Sequence, residues 1–273
     1  MIDLELFEFI MIGLGITFIV LTILVLFKLV AEPIYILIYK KPIYVHYYPF
    51  SRKVTASQQA ILRKEFSFYS RLSKKRKEYF DHRVSTFLSR YKFVGNGISV
   101  ENDDVRMIVA GTYVMLTFGM RQYLTSVFDK IILYPSVYYS TVNEQYHKGE
   151  FNPHMKAVVF SWNDFLSGHQ ITNNNINLGL HEFTHALHIG SKKRHYSSDV
   201  IFIDEFNAIL EYLEDADFRQ KMLNDDYFRD YAYENQFEFL AVLLEHFFET
   251  PEEFNRIYPK LFSHVKRMIN FQN

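Results

Sequence analysis

Asn177-Leu178-Gly179-Leu180-His181-Glu182-Phe183-Thr184-His185-Ala186-Leu187 reads as one helix with a polar cap, an apolar body and two imidazoles on a single face. His181 and His185 are four residues apart, so at 3.6 residues per turn both rings point the same way and can grip one ion. A catalytic zinc site takes three protein ligands at about 2.0–2.2 Å and keeps a fourth position for water. The chain has no cysteine, so a metal site here must use His, carboxylates and water. Glu182, beside the first His, stands where a general base would take a proton from that water. The five-residue pattern also falls on ordinary helices by chance, so it needs a third ligand.

Spacing tests the candidates for that ligand. A metzincin would carry Gly at 188 and His at 191; this chain has His188 and Ser191, which excludes that class. A thermolysin-like arrangement, with a Glu some twenty residues after the second His, lands on Glu205 in Asp204-Glu205-Phe206-Asn207. A better candidate is Glu238, set among Phe237, Phe239, Leu240 and Ala241. A carboxylate on so apolar a helix is costly to bury unless it is ion-paired or metal-bound. Tyr231 precedes Glu238 by seven residues and shares its side if the helix is regular that far. A phenol there could donate to a developing oxyanion. On spacing alone Glu205 and Glu238 both stay open, with a salt-bridged carboxylate or a packed tyrosine as the plainer alternatives.

Outward from this helix, bulk properties narrow the class. The chain has 273 residues, 49% hydrophobic and 22% charged, as folded globular chains do, and a net charge of −1 that leaves no basic footprint for nucleic acid. The absence of cysteine excludes disulfides and fits a reducing compartment. From Phe9 to Phe27 no residue is charged. Such a stretch, extended to about residues 9–30, is close to what a helix needs to cross a hydrocarbon core of roughly 30 Å. The N-terminus is acidic (Asp3, Glu5, Glu8), unlike the basic start of a signal peptide. Residues 1–45 are therefore expected to be a retained membrane anchor. Lys28, Lys40, Lys41, Arg52 and Lys53 all follow the apolar core, and the positive-inside bias then places the C-terminal bulk in the cytoplasm. Pro33 is expected to end or kink the helix. Tyr35, Tyr39, Tyr44, Tyr47 and Tyr48 suit either a membrane interface or a strand or packing surface.

Residues 46–273 show no repeat or linker and read as one domain. Ser73 is placed to cap a helix reaching about Tyr91, whose basic first turn (Lys74 to Lys77) is a solvated face or a contact for anionic lipid. Gly95 and Gly97 mark a turn, and Asn102 or Asp103 caps a second helix. Lys130–Tyr134 and Ala157–Trp162 read as strands, Asn173 to Asn175 as a loop, and the remainder as mainly helical. The fold class is α+β, mainly helical with a small sheet. An extended peptide would lie along Ala157–Ser161 as the nearest edge strand.

Several segments in order resemble one family, the Mlc titration factor (MtfA-like) zinc metallopeptidases of bacteria. They are Leu72–Val94 ending in Arg90-Tyr91-Lys92-Phe93-Val94-Gly95, then Ile132-Leu133-Tyr134-Pro135, then Val158-Val159-Phe160-Ser161-Trp162, then Asn177–Leu187, then Asp230–Phe248. The resemblance spans about residues 70–265. It implies a zincin-like metallopeptidase domain related to the catalytic part of anthrax lethal factor, with peptidase or aminopeptidase activity. It implies Zn2+ held by His181, His185 and Glu238, with Glu182 as base, Tyr231 as transition-state donor, and Glu238 preferred over Glu205. The family usually has Asp where this chain has His188, which reads as a hydrogen-bond partner of a metal ligand, a substrate contact or a core residue. The expected partners are a peptide or protein substrate and a membrane, with the chain single-pass in a bacterial inner membrane. The alternative is a membrane-tethered zinc protein that sequesters a regulatory partner with little turnover.

Overall fold

The computed structural model describes residues 4–140 and 144–272, so Asp3 lies outside the described residues. The chain forms two compact units, Met1–Tyr44 and Val45–Asn273. The first is a continuous helical run from Leu4 to Tyr39, long and apolar enough to cross a membrane. It comprises α1 (Leu4–Leu26), a π-helical turn (Phe27–Ala31) and α2 (Glu32–Tyr39). Its two threonine hydroxyls are satisfied within the helix: those of Thr17 and Thr22 donate to carbonyls one turn back, at 2.8 Å each. Of the two expected outcomes, an end or a kink, the first does not occur: Pro33 does not end this helix. It falls in the first turn of α2, directly after the wide turn, a position that tolerates the absence of a backbone N–H. The run stops at Lys40, which adopts the left-handed conformation (φ 50°) and returns its N–H to Ile36.

The second unit is α+β. After α3 (Ala56–Glu65) and α4 (Ser67–Arg71) comes α5 (Lys74–Arg90), capped by the Ser73 hydroxyl as its sequence predicts. Then follow β1 (Lys92–Gly95) and α6 (Asp103–Thr117), the latter capped by Asn102. Strands β2 (Lys130–Tyr134), β3 (Tyr138–Ser140), β4 (Gln145–His147), β5 (Gly149–Asn152) and β6 (Ala157–Ser161) complete the β structure. The main sheet has order β1-β2-β6-β5, with β1, β2 and β6 parallel and β5 antiparallel at the edge; β3 and β4 form a separate hairpin. This corrects the expected edge strand. Ala157–Ser161 is interior and buried at every residue, because an unbroken apolar run belongs to a strand covered on both faces. The edges are β1 and the short, polar β5, and β5 is the edge next to β6. Trp162 also leaves the strand, since Ser161 caps α7 (Trp162–Gln170).

Six more helices follow: α8 (Leu178–Lys193), α9 (Ser197–Leu213), α10 (Ala216–Asp225), α11 (Gln236–Glu249), α12 (Pro251–Ile257) and α13 (Pro259–Met268). Phe183 fixes the rotation of α8. Its buried ring meets Tyr113 of α6 at 5.1 Å and Phe160 of β6 at 5.3 Å, both edge-on, which turns the other face of α8 towards α11 and β5. Close approach of α7 to α8 depends on Gly179, where a Cβ would lie 2.7 Å from the Phe165 ring. None of the five early tyrosines sits in a strand. Tyr35 and Tyr39 lie on α2, and Tyr48 packs within the second unit, its hydroxyl accepting from Arg83 Nε at 2.6 Å.

Candidate metal centre

The start of α8 is clamped from α11. Asn177 caps α8 with its side chain, accepting the Leu180 N–H at 3.0 Å, while its own N–H donates to Glu245 Oε1 at 3.1 Å. One turn on, Glu249 accepts from the Asn175 N–H (2.7 Å) and from Asn177 Nδ2 (3.2 Å). At the other end of α11, the Asn235 side chain accepts the N–H groups of Phe237 and Glu238, so Glu238 is fixed in the first turn.

These two anchored helix starts bring three side chains together. Glu238 Oε2 lies 2.9 Å from His181 Nε2 and 3.4 Å from His185 Nε2, and the two nitrogens are 3.1 Å apart. Glu238 Oε2 is buried and makes no hydrogen bond of acceptable geometry. Three lone-pair atoms facing one another in this way are poorly served by protons, because at most some of them can carry one. Ligands of a tetrahedral ion at about 2.0–2.2 Å stand roughly 3.3–3.6 Å apart, so the triangle fits a divalent ion with only slight expansion. Among the described residues this trio is the grouping able to hold a metal.

Electrostatics follow from the same contacts. Burial disfavours a charged His181, but the carboxylates of Glu238 and Glu245 outweigh it and hold the imidazolium up to about 10. Burial also opposes ionisation of Glu238, yet His181 and His185 keep its carboxyl well below the usual range. Protons therefore compete with any metal for this nitrogen. Glu182 is buried, which pushes its carboxyl up, and its Oε2 accepts the Phe151 N–H of β5 at 2.9 Å. The strand can approach so closely because residue 149 is glycine: a Cβ there would lie 2.6 Å from Leu178 and 3.0 Å from Glu182.

Tyr231 reaches the same place by another route than expected. It does not share a helix with Glu238: it lies in a 3-10 turn (Asp230–Tyr233), and the extended Asn235 then starts α11 afresh. Its ring nonetheless stands 5.7 Å from that of His181 and is 40% exposed, open to a ligand. Burial and the nearby Glu238 carboxylate push its phenol up, keeping it a donor. Glu205 is elsewhere, paired in α9 with His264 (2.8 Å) and Arg267 (2.9 Å) of α13. His188 is a core residue, 2% exposed, against Phe206 and Phe237, and burial pulls its pKa down to about 4.

Sequence reading missed Glu245, Arg229 and the β5 backbone. The signal for Glu245 was its spacing of seven from Glu238, which puts both on one side of α11. No local signal marked β5.

Comparison with known proteins covers all of these elements. The model of the family described as glucose-regulated metallo-peptidase M90 matches residues 48–269. An uncharacterized protein of Synechocystis sp., slr2042, is 24% identical over 242 residues, spanning 80% of this chain and 85% of that protein.

Proposed function

The chain belongs to the glucose-regulated metallo-peptidase M90 family, and from that premise we propose that its second unit hydrolyses peptide bonds at a zinc ion held by His181, His185 and Glu238. The observation that carries this reading is the triangle of His181 Nε2, His185 Nε2 and Glu238 Oε2, spaced 2.9–3.4 Å. Imidazole and carboxylate donors without thiolates suit zinc. When bound, the metal supplies Lewis acidity that polarises a substrate carbonyl and makes water deprotonable near neutral pH.

The chain's own residues do the rest. Glu182, steadied by the Phe151 N–H, takes the proton from water and passes it to the leaving amine. Its raised proton affinity suits both steps. Tyr231 donates a hydrogen bond to the oxygen that gains charge as water adds. An extended peptide would pair with the free edge of β5, which passes beside Glu182. Aminopeptidase action is the finer form of this proposal and rests on the family resemblance; an N-terminally blocked peptide, resistant where the free one is cleaved, would support it.

We further propose that the helical run Leu4–Tyr39 is a retained anchor in a bacterial inner membrane, with residues from about 46 onward forming the peptidase domain on the cytoplasmic side. Support comes from its exposed apolar surface and from the cations that follow it. N-terminal sequencing of the mature chain tests retention, since a cleaved signal would remove these residues. For the chemistry, Glu182→Gln should keep its zinc and lose peptide hydrolysis by about a hundred- to ten-thousand-fold. Wild-type turnover in that variant would remove Glu182 as base.

A further inference from the structure

His181 and His185 are not held alike. Glu245 Oε1 lies 3.5 Å from His181 Nδ1, the nitrogen on the far side of the ring from the triangle. This carboxylate is only 1% exposed and is itself fixed from two directions. Arg229 Nη2 meets Glu245 Oε2 at 2.6 Å, and the Asn177 N–H donates to Oε1 at 3.1 Å. Arg229 does more than neutralise it. Its Nη1 donates to the Asn175 carbonyl in the loop before α8, and its guanidinium carbon stands 5.8 Å from the Tyr231 ring centroid. One ion pair, buried at Glu245 and partly exposed at Arg229, thus touches the cap of α8, the ring of His181 and the segment that carries Tyr231.

We propose that Glu245, braced by Arg229, is a positioning residue that accepts the Nδ1 proton of His181 and so presents Nε2 to the metal. The inference rests on the metal reading above. A neutral imidazole carries one proton, and a ring that binds a metal through Nε2 must keep that proton on Nδ1. A carboxylate partner there fixes the tautomer, stops the ring from rotating, and makes Nε2 a stronger donor; losing such a partner typically weakens metal binding about 10- to 100-fold. Glu245 and Glu238 are two turns apart on α11, so a single rigid helix supplies one ligand and orients another. The Asn177 N–H bond adds register, because it ties the start of α8 to the same carboxylate oxygen that faces the ring.

Glu205 offers a control. It is also a buried carboxylate, paired with Arg267 and His264, but it is remote from the triangle. The full-length chain in detergent would be titrated with Zn2+ against a chromophoric chelator, for wild type, Glu245→Gln and Glu205→Gln. Thermal unfolding of the zinc-free proteins would be recorded alongside. The expected result is that both variants lose thermal stability, while zinc affinity falls about 10- to 100-fold only in Glu245→Gln. The visible spectrum of the Co2+-loaded protein should change in the same variant alone. Wild-type zinc affinity in Glu245→Gln, or an equal loss in Glu205→Gln, overturns the positioning role while the metal centre stands. A wild-type chain that binds no zinc overturns the metal reading and this inference together.

Discussion

Helix α1 and the pair α8 and α11 depart from the usual burial pattern in opposite senses. In α1 the Leu, Ile, Val and Phe side chains are exposed and none is buried. In α8 and α11 the buried side chains include His181, Glu182, Glu245 and His246. Leaving a Leu or Phe in water rather than burying it forgoes about 1.5–3 kcal/mol, and an ionised carboxylate in an apolar setting is worse still unless paired. Each segment therefore differs from a plain surface or core helix: α1 belongs to a run long and apolar enough to cross a membrane, and the α8 and α11 face groups three donors able to hold a metal ion. Glu205 shows what an ordinary buried acid looks like, with both oxygens answered by Arg267 and His264. Glu238 differs because its buried Oε2 faces two imidazole nitrogens at once, at 2.9 and 3.4 Å, with no guanidinium beside it among the described residues.

The larger effect on this contrast should come from a charge placed in α1. Ile16→Arg puts a guanidinium at the middle of that helix, at about 2.5–3.5 kcal/mol, or roughly a hundredfold in insertion. The wild-type chain should resist alkaline extraction from membranes and the variant should not. Equal resistance would mean that α1 is not what anchors the chain.

A smaller effect sharpens the other side. Glu249 lies one turn beyond Glu245, and burial pushes its carboxyl up to about 7 against the pull of its bonds from Asn177 and Asn175. Its folded value lies above the ordinary 4.5, so its contribution to stability is full below about 4.5 and is lost as pH rises through about 7. Glu249→Gln keeps an acceptor for the Asn175 N–H and removes the charge. Its Tm relative to wild type should rise by a few degrees between pH 5 and pH 8. A flat difference over that range would show that the carboxyl titrates normally.

What could be read from the chain itself was what is local. Ser73, Asn102 and Asn177 cap their helices because one side-chain oxygen meets one nearby N–H, and the apolar runs at 130–134 and 157–161 form strands. The break between Tyr231 and Glu238 was also local, since Asn235 is a capping residue, but helical periodicity taken across it concealed the break. The edge strand was not legible: β5 is four residues, Gly-Glu-Phe-Asn, with neither alternation nor an apolar run, and only its pairing with β6 makes it a strand. The convergence of α8 with α11 was likewise beyond spacing arguments. It follows from the packing of Phe183 and the clamp of Glu245 and Glu249 on residues 175–177. The apolar setting of Glu238 and then the family resemblance, not spacing, preferred it over Glu205, and the fold brings Glu238 to the histidines.

Metal content of the purified full-length chain, measured by elemental analysis beside Glu238→Ala and Glu205→Ala, tests the centre most directly. A centre built on His181, His185 and Glu238 predicts about one zinc per chain in wild type and Glu205→Ala, and almost none in Glu238→Ala. Wild-type zinc content in Glu238→Ala, or none in the wild type, would contradict it.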